Sequence, residues 1–145
     1  MKYLLPFLIG VTLLSCNGTP EVQSQIVQKT HLSKNPTFPL RSLINIKWDM
    51  LYIIGPYTTE KALPDDLLPY KHQIKNTEID MRDDITLLYF LKDNKLVAEA
   101  EVKRNDINFG QVNTFDSKHH LNYFTPQQEL HIINTGGTYT IESIK

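Results

Sequence analysis

The chain contains a single cysteine, Cys16, among its 145 residues. One cysteine cannot form a disulfide within the chain, so a domain built from this sequence must be stabilised by its apolar core alone. The position of the cysteine adds a second constraint, because Cys16 follows directly after an apolar stretch near the start of the sequence.

The segment before Cys16 has the layout of a secretory signal peptide. Lys2 provides a short positive region, residues 4–14 form an apolar region of roughly 11 residues, and Ser15 is a small residue before the cysteine. A helix needs about 20 apolar residues to span a bilayer, so a transmembrane anchor is the weaker alternative. We therefore predict that residues 1–15 are a signal peptide.

The sequence Leu13-Leu14-Ser15-Cys16 resembles the lipobox of bacterial lipoproteins. The resemblance implies a diacylglycerol (palmitate) group on the Cys16 sulfur and cleavage just before this residue. An ordinary secretory signal with a chance cysteine is the alternative, but Leu13 is large for the third position before a standard cleavage site. The covalent lipid is the one added group that we predict, with no cofactor. It would leave no thiol for catalysis or for binding a metal.

The residue after the cysteine bears on the location of the anchor. Asn17 stands where an aspartate would favour the inner membrane, so we expect the outer membrane, with the domain facing the periplasm. Removing residues 1–15 changes the formal charge from −1 to −2, because 14 basic residues then face 16 acidic ones. This near-neutral balance predicts neither nucleic-acid binding nor a polybasic membrane surface. The expected partners are the membrane, through the lipid, and an envelope protein or a toxin.

Residues 16–37 are mostly polar and show no clear helical or strand periodicity. We therefore predict a flexible tether with a root-mean-square reach of roughly 25 Å. An ordered first strand around residues 22–27 is the alternative. The single globular domain then occupies residues 38–145.

Five strands are predicted within this domain. Residues 48–54 are apolar on both faces, which is typical of a central strand that is covered on both sides. Two hairpins follow, one over residues 85–103 around Asp93-Asn94 and one over residues 130–144 around Gly136-Gly137. In the first hairpin we expect Leu96 to face the same way as Ala98. The fold class is α+β, a small antiparallel sheet of about five strands with one or two short helices.

Residues 48–58 carry the sequence W-D-M-L-Y-I-I-G-P-Y-T. This run resembles a W-D-x-h-h-h-h-G-P-Y-T motif of small uncharacterised bacterial lipoproteins, in which a tether precedes the motif and a hairpin follows. The resemblance implies no function for this chain, because those lipoproteins are themselves uncharacterised. Read from the residues, Trp48 is a core anchor and Tyr57 a packed aromatic at the corner after the strand.

Asp49 interrupts this otherwise apolar run and has to be paired, hydrogen-bonded or placed at the exposed end of the strand. We expect Asp49 to accept backbone N–H groups or to pair with Lys47 or Arg41. Trp48, Asp49 and Tyr57 are also the candidate residues for binding a partner.

No catalytic or metal residues are predicted. His119, His120 and His131 with Asp116 match no zinc spacing, and the pairs Asp65-Asp66 and Asp83-Asp84 are typical of turns. No serine lies in a nucleophile motif. We therefore expect a non-enzymatic binding module in the cell envelope. The alternatives are an immunity or inhibitor lipoprotein that blocks a toxin, and a small hydrolase that uses Asp49.

The lipid anchor leads to a first prediction. Mass spectrometry of the mature N-terminus should find an acylated Cys16, because the lipobox directs modification before cleavage. The variant Cys16→Ser should stay unprocessed at its full length. A mature chain that begins at another residue, with a free amino group, would contradict the lipoprotein prediction.

Overall fold

The structure, a computed structural model, describes residues 20–33, 37–116 and 118–145. The predicted signal peptide and Cys16 lie outside the described residues. The helices are α1 (Pro20–Leu32) and α2 (Lys71–Asn76), with 3-10 turns at Leu40–Ser42, Glu60–Ala62 and Asp65–Tyr70. The strands are β1 (Thr37–Pro39), β2 (Met50–Ile54), β3 (Ile85–Lys92), β4 (Lys95–Lys103), β5 (Ile107–Asn108), β6 (Tyr123–Phe124), β7 (Glu129–Thr135) and β8 (Thr138–Ile144).

The strands form two four-stranded sheets. The first has the order β4-β3-β2-β6 and is antiparallel throughout, and the second has the order β1-β7-β8-β5, in which only the β5–β8 pair is parallel. This α+β arrangement confirms the predicted class. The five longest strands are the five predicted ones. The prediction missed β1, β5 and β6 because strands of two or three residues are too short to show a periodicity.

Strand β2 lies in the interior of the first sheet, between β3 and β6. Its alternate residues enter two different apolar clusters. Leu51 and Ile53 belong to the main core, which lies between the two sheets, whereas Tyr52 and Ile54 belong to a second core on the opposite face. The predicted cover on both faces of this strand is confirmed.

The hairpin of β3 and β4 turns at Asp93 and Asn94, which have φ values of 49° and 58°. Positive φ at both central residues is typical of a tight primed turn. Phe90 pairs with Ala98 but Leu91 pairs with Leu96, so Val97 forms a β-bulge. The predicted orientation of Leu96 is therefore wrong: it packs against the second core, and Val97 packs against the main core.

The second core is covered by the segment between β2 and β3. Residues 71–76 are mostly polar in sequence, but they form α2, whose Ile74 is buried. Two polar contacts fix this cover to the first sheet: the Tyr52 hydroxyl donates to Asp66 Oδ2 at 2.9 Å, and the Leu96 N–H donates to Tyr70 Oη at 2.8 Å. Burial, followed by the contact with Asp66, raises the pKa of Tyr52, so its hydroxyl remains a donor at neutral pH.

The predicted tether differs most from the structure. Residues 20–32 form helix α1, which packs against β4, with Val22 and Ile26 only 2% and 0% exposed. The globular domain therefore includes residues 20–33 and does not begin at residue 38. The sequence of residues 20–32 gives only a weak indication of a helix, because few apolar residues mark the buried face of α1. Pro20 and Glu21 at the start and Lys29 near the end are nevertheless typical of helix termini.

The variant Ile26→Ala tests the role of α1. It should lower the free energy of unfolding by about 2–5 kcal/mol, because it leaves a cavity where a fully buried side chain packs against the main core. The measurement is urea unfolding. Ser24→Ala is the control on the exposed face of α1 and should change stability by less than about 0.5 kcal/mol. Equal stability of the two variants would mean that residues 20–32 are a tether after all.

Candidate functional site

Two surface grooves lie at opposite ends of β2. At about 3.3 Å per residue, the stretch from Asp49 to Gly55 covers roughly 20 Å. Trp48 and Asp49 line the groove before the strand, and Tyr57 lines the groove after it. The three predicted binding residues therefore do not form one site.

The first groove, called the Trp48 groove here, is open and has a volume of about 730 Å³. It lies between the segment that leads into β2 and the segment that follows β6. The residues that line it are Arg41, Ile44, Asn45, Ile46, Lys47, Trp48, Asp49, Lys92, Thr125, Pro126 and Gln127.

Trp48 has the packing role that was predicted for it. Its side chain is 5% exposed, belongs to the main core and meets the Phe90 ring edge-on, with the ring centroids 5.3 Å apart. Its indole N–H is buried and has no acceptor among the residues that the structure describes. A buried donor without a partner costs about 1–3 kcal/mol, so the packing of this ring must outweigh that cost.

Asp49 is exposed and lies one residue before β2. Its Oδ2 accepts the N–H of Asp93 at 3.1 Å, and its own N–H donates to the Leu91 carbonyl at 2.8 Å. The predicted bond to a backbone N–H is confirmed, and the alternative pairing with Lys47 or Arg41 is not found. Asp49 therefore connects the start of β2 to the hairpin turn of β3 and β4.

The Trp48 groove carries an excess of positive charge. Arg41, Lys47 and Lys92 line it together with Asp49, so three cations face one anion. Within the described parts of the chain, the ion pairs involve other residues, and these three cations have no anionic partner. Sequence reasoning missed this cluster, because Lys92 lies 45 residues after Lys47 and only folding brings it beside Arg41 and Lys47.

The second groove, called the Tyr57 groove here, has a volume of about 400 Å³. It lies between the loop after β2 and the loop before β6. The residues that line it are Tyr57, Thr58, Thr59, Lys61, Ala62, Phe115, Lys118, His119 and His120.

Tyr57 is not the packed aromatic that was predicted. Its side chain is 61% exposed, and its backbone has a φ of 62°, in the left-handed region that favours glycine. Its N–H donates to the Ile79 carbonyl at 2.8 Å, which holds the loop against the chain after α2. A tyrosine in this conformation costs of order 1–3 kcal/mol, so the fold keeps a strained residue whose ring lies mostly in solvent.

Asp116 holds the loop on the other side of the Tyr57 groove. Its Oδ1 accepts the N–H groups of Lys118 and His120, each at 2.8 Å. These bonds, with that to His120 the stronger influence, lower the pKa of Asp116 below its ordinary value of 3.8. The carboxylate thereby fixes the turn in which His119 adopts a φ of 63°.

The other acidic residues and the histidines are the residue types that could bind a metal or act in catalysis. Within residues 20–33, 37–116 and 118–145, no group of three or more His, Cys, Asp or Glu side chains is placed to hold a metal. One member of each acidic pair has a definite contact: Asp66 accepts from Tyr52, and Asp84 accepts two bonds from Arg82 at 2.8 Å. His131 Nδ1 lies 2.6 Å from Glu142 Oε2 on the second sheet, within hydrogen-bond distance.

Comparison of the chain with protein-family models, curated proteins and solved structures finds no match in any of the three. The resemblance of residues 48–58 to small lipoproteins therefore stays a prediction. Among the helices of the described residues, none has the length and apolar character needed to cross a membrane.

The Asp116 loop should respond to acid. Because the pKa of Asp116 is lowered in the folded state, its contribution is complete above pH 3.8 and disappears as the pH falls through the folded-state pKa. Nuclear magnetic resonance should show the Lys118 and His120 amide signals shifting together in that range. In Asp116→Asn these joint shifts should be absent. A transition at or above pH 3.8 would contradict the assignment.

Proposed function

We propose that this protein is a lipid-anchored, non-enzymatic binding module of the bacterial cell envelope. Cys16 holds it at the membrane, and the Tyr57 groove binds a protein partner that has an acidic surface. The observation that carries the proposal is Tyr57, an exposed aromatic ring on a strained backbone.

The conformation of Tyr57 favours a role in binding over a role in packing. A residue that only filled the loop would be better as glycine, which adopts positive φ without strain. The hydrogen bond to Ile79 fixes the backbone below the ring, and Thr58 Oγ1 donates to the Gly55 carbonyl at 2.7 Å to fix the same turn. Because the loop is already ordered, a partner that contacts the ring loses little conformational entropy on binding. Tyrosine is also among the residues enriched in protein interfaces.

The charges of the Tyr57 groove favour an acidic partner. Lys61 and Lys118 are exposed on its two sides and take part in none of the ion pairs of the described parts of the chain, although the charge of Lys118 is one of the influences that lower the pKa of Asp116. No carboxylate is among the described residues that line this groove. Carboxylates of a partner would complement these cations, and charges at the rim of an interface mainly increase the rate of association. Binding should therefore weaken as the salt concentration rises.

The contacts of Asp49 favour a structural role over the hydrolase alternative. Its carboxylate accepts a backbone N–H at the hairpin turn. In the Trp48 groove it faces three cations and, among the described lining residues, no histidine or second carboxylate. The usual pair of acid and base groups is not assembled around it.

The variant Tyr57→Gly separates binding from folding. It removes the ring and relieves the positive φ, so the free energy of unfolding should stay within about 1 kcal/mol of the wild-type value. Loss of a central aromatic residue should weaken partner binding by about 30-fold or more, which corresponds to at least 2 kcal/mol. The measurement is recovery of an envelope protein by cross-linking to the acylated protein, followed by a binding titration.

Tyr123→Ala is the matched control, since Tyr123 is also largely exposed (53%) but lies on β6, outside the residues that line the Tyr57 groove. It should keep the partner that Tyr57→Gly loses. Equal binding by wild type and Tyr57→Gly would exclude the Tyr57 groove as the binding surface.

A further inference from the structure

We propose that the Trp48 groove binds the phosphate of anionic phospholipid headgroups in the membrane that holds the protein. The Trp48 end of β2 then faces the bilayer, and the Tyr57 groove faces away from it. This inference rests on the lipid anchor of the proposed function and adds a second contact with the same membrane.

The distance between the anchor at Cys16 and the ordered fold is short. The sequence predicted a tether through residue 37, but the ordered domain already includes α1, which begins at Pro20. Cys16 and Pro20 are four residues apart, and four residues span at most about 14 Å in any conformation. An acylated Cys16 therefore keeps the start of α1 within about 14 Å of the lipid headgroups.

The Trp48 groove lies beside the first half of α1. Gln25 Oε1 accepts the Asn45 N–H at 3.2 Å. At the other end of α1, Leu32 lines a cleft together with Phe38 of β1. The segment from Phe38 to Asn45 thus runs antiparallel to α1. Asn45 lies beside the half of the helix that begins at Pro20, which is the half nearest the anchor. Asn45 also lines the Trp48 groove, so this edge of the groove lies beside the half of α1 that is nearest the anchor.

The Trp48 groove has an excess of positive charge. Arg41 and Lys47 are exposed, and Lys92 is half-buried beside them. Each cation near an anionic bilayer stabilises the contact, but only within a Debye length of about 8 Å at physiological salt. Gln25 lies roughly 8 Å along α1 from Pro20, so the short link allows the groove to approach that closely.

The anions near the groove do not cancel this charge. Asp49 lines the groove, and Asp93 lies in the adjoining turn, where Asp49 accepts its N–H. Lys95 begins the next strand and adds a cation near the same turn. The four cations Arg41, Lys47, Lys92 and Lys95 therefore outnumber the three nearby anions, which are Asp49, Asp93 and, one turn before Gln25 on α1, Glu21.

Ile46 adds an apolar contact to these charges. It lines the groove beside Lys47 and is 37% exposed, the lowest value among the seven large apolar residues that are exposed in the described chain. An exposed aliphatic side chain next to cations is typical of surfaces that lie at the membrane interface, where the apolar group enters below the headgroups. The same cations would also attract a free phosphate ion, so the experiment has to separate these two sources.

The test uses Trp48 itself, which is the only tryptophan of the chain and lies in the groove. The mature, acylated protein is reconstituted into vesicles of phosphatidylcholine alone or of phosphatidylcholine mixed with phosphatidylglycerol. Both contain lipids with a nitroxide on the headgroup, which quenches nearby tryptophan fluorescence. We expect stronger quenching of Trp48 in the vesicles that contain phosphatidylglycerol, and a return to the lower level at high salt.

Two variants with equal changes in charge show whether the groove is responsible. The triple variant Arg41→Gln, Lys47→Gln, Lys92→Gln should lose the additional quenching, with a roughly five-fold fall in the ratio of quenched to unquenched protein for each charge removed. The matched control is Lys75→Gln, Lys103→Gln, Arg104→Gln, which removes three exposed cations outside the groove. This control should quench like the wild type. Equal losses in both variants, or equal quenching in the two lipid mixtures, would overturn the proposal.

An additional measurement distinguishes binding of the lipid headgroup from binding of free inorganic phosphate. Inorganic phosphate added at matched ionic strength should leave the quenching unchanged if headgroups occupy the groove. Reversal by phosphate but not by chloride would assign the groove to the free ion and overturn the membrane contact. If the protein carries no lipid anchor, mass spectrometry finds no lipid on Cys16. This result distinguishes failure of the proposed function from failure of the groove proposal. An acylated protein that shows no lipid preference overturns the groove proposal alone.

Discussion

The burial of β2 on both of its faces is the constraint on which the rest of this structure depends. Leu51 and Ile53 are fully buried on one face, and Tyr52 and Ile54 on the other. Burying each such side chain contributes about 1.5–3 kcal/mol, but only if cover is available on both sides. The second sheet and α1 provide that cover on one face, and α2 with its neighbouring 3-10 turns provides it on the other. A chain of this size without an internal disulfide needs both covers.

The same strand also separates the two candidate surfaces. Because β2 is an extended strand that pairs with a neighbour on each side, the residues just before it and just after it are kept roughly 20 Å apart. In the proposed arrangement one end contacts the membrane and the other end meets a protein partner. A rigid strand between two surfaces is a simple way to keep a binding site directed away from the membrane.

Local charge matters more for these surfaces than total charge. The formal charge of −1 indicated no membrane or nucleic-acid surface. Folding nevertheless brings Arg41, Lys47 and Lys92 to one groove, while many acidic residues lie elsewhere and take part in structural contacts, such as Asp84 with Arg82 and Asp116 with its own loop. Composition averages over the whole chain, so it cannot report charges that are separated in space.

The sequence by itself determined the α+β class, the five long strands, the two hairpins and the double cover of β2, because these follow from local periodicity and turn residues. It also indicated the packing of Trp48 and a backbone contact for Asp49. Only the tertiary structure decided that residues 20–32 form a helix, since the few apolar residues of α1 gain from burial only when β4 and the main core are present. It likewise decided the bulge at Val97, which depends on which side chains of the hairpin the two cores bury. The exposed ring of Tyr57 and the cation cluster were also decided at this level, because each depends on residues that are distant in sequence and adjacent in space.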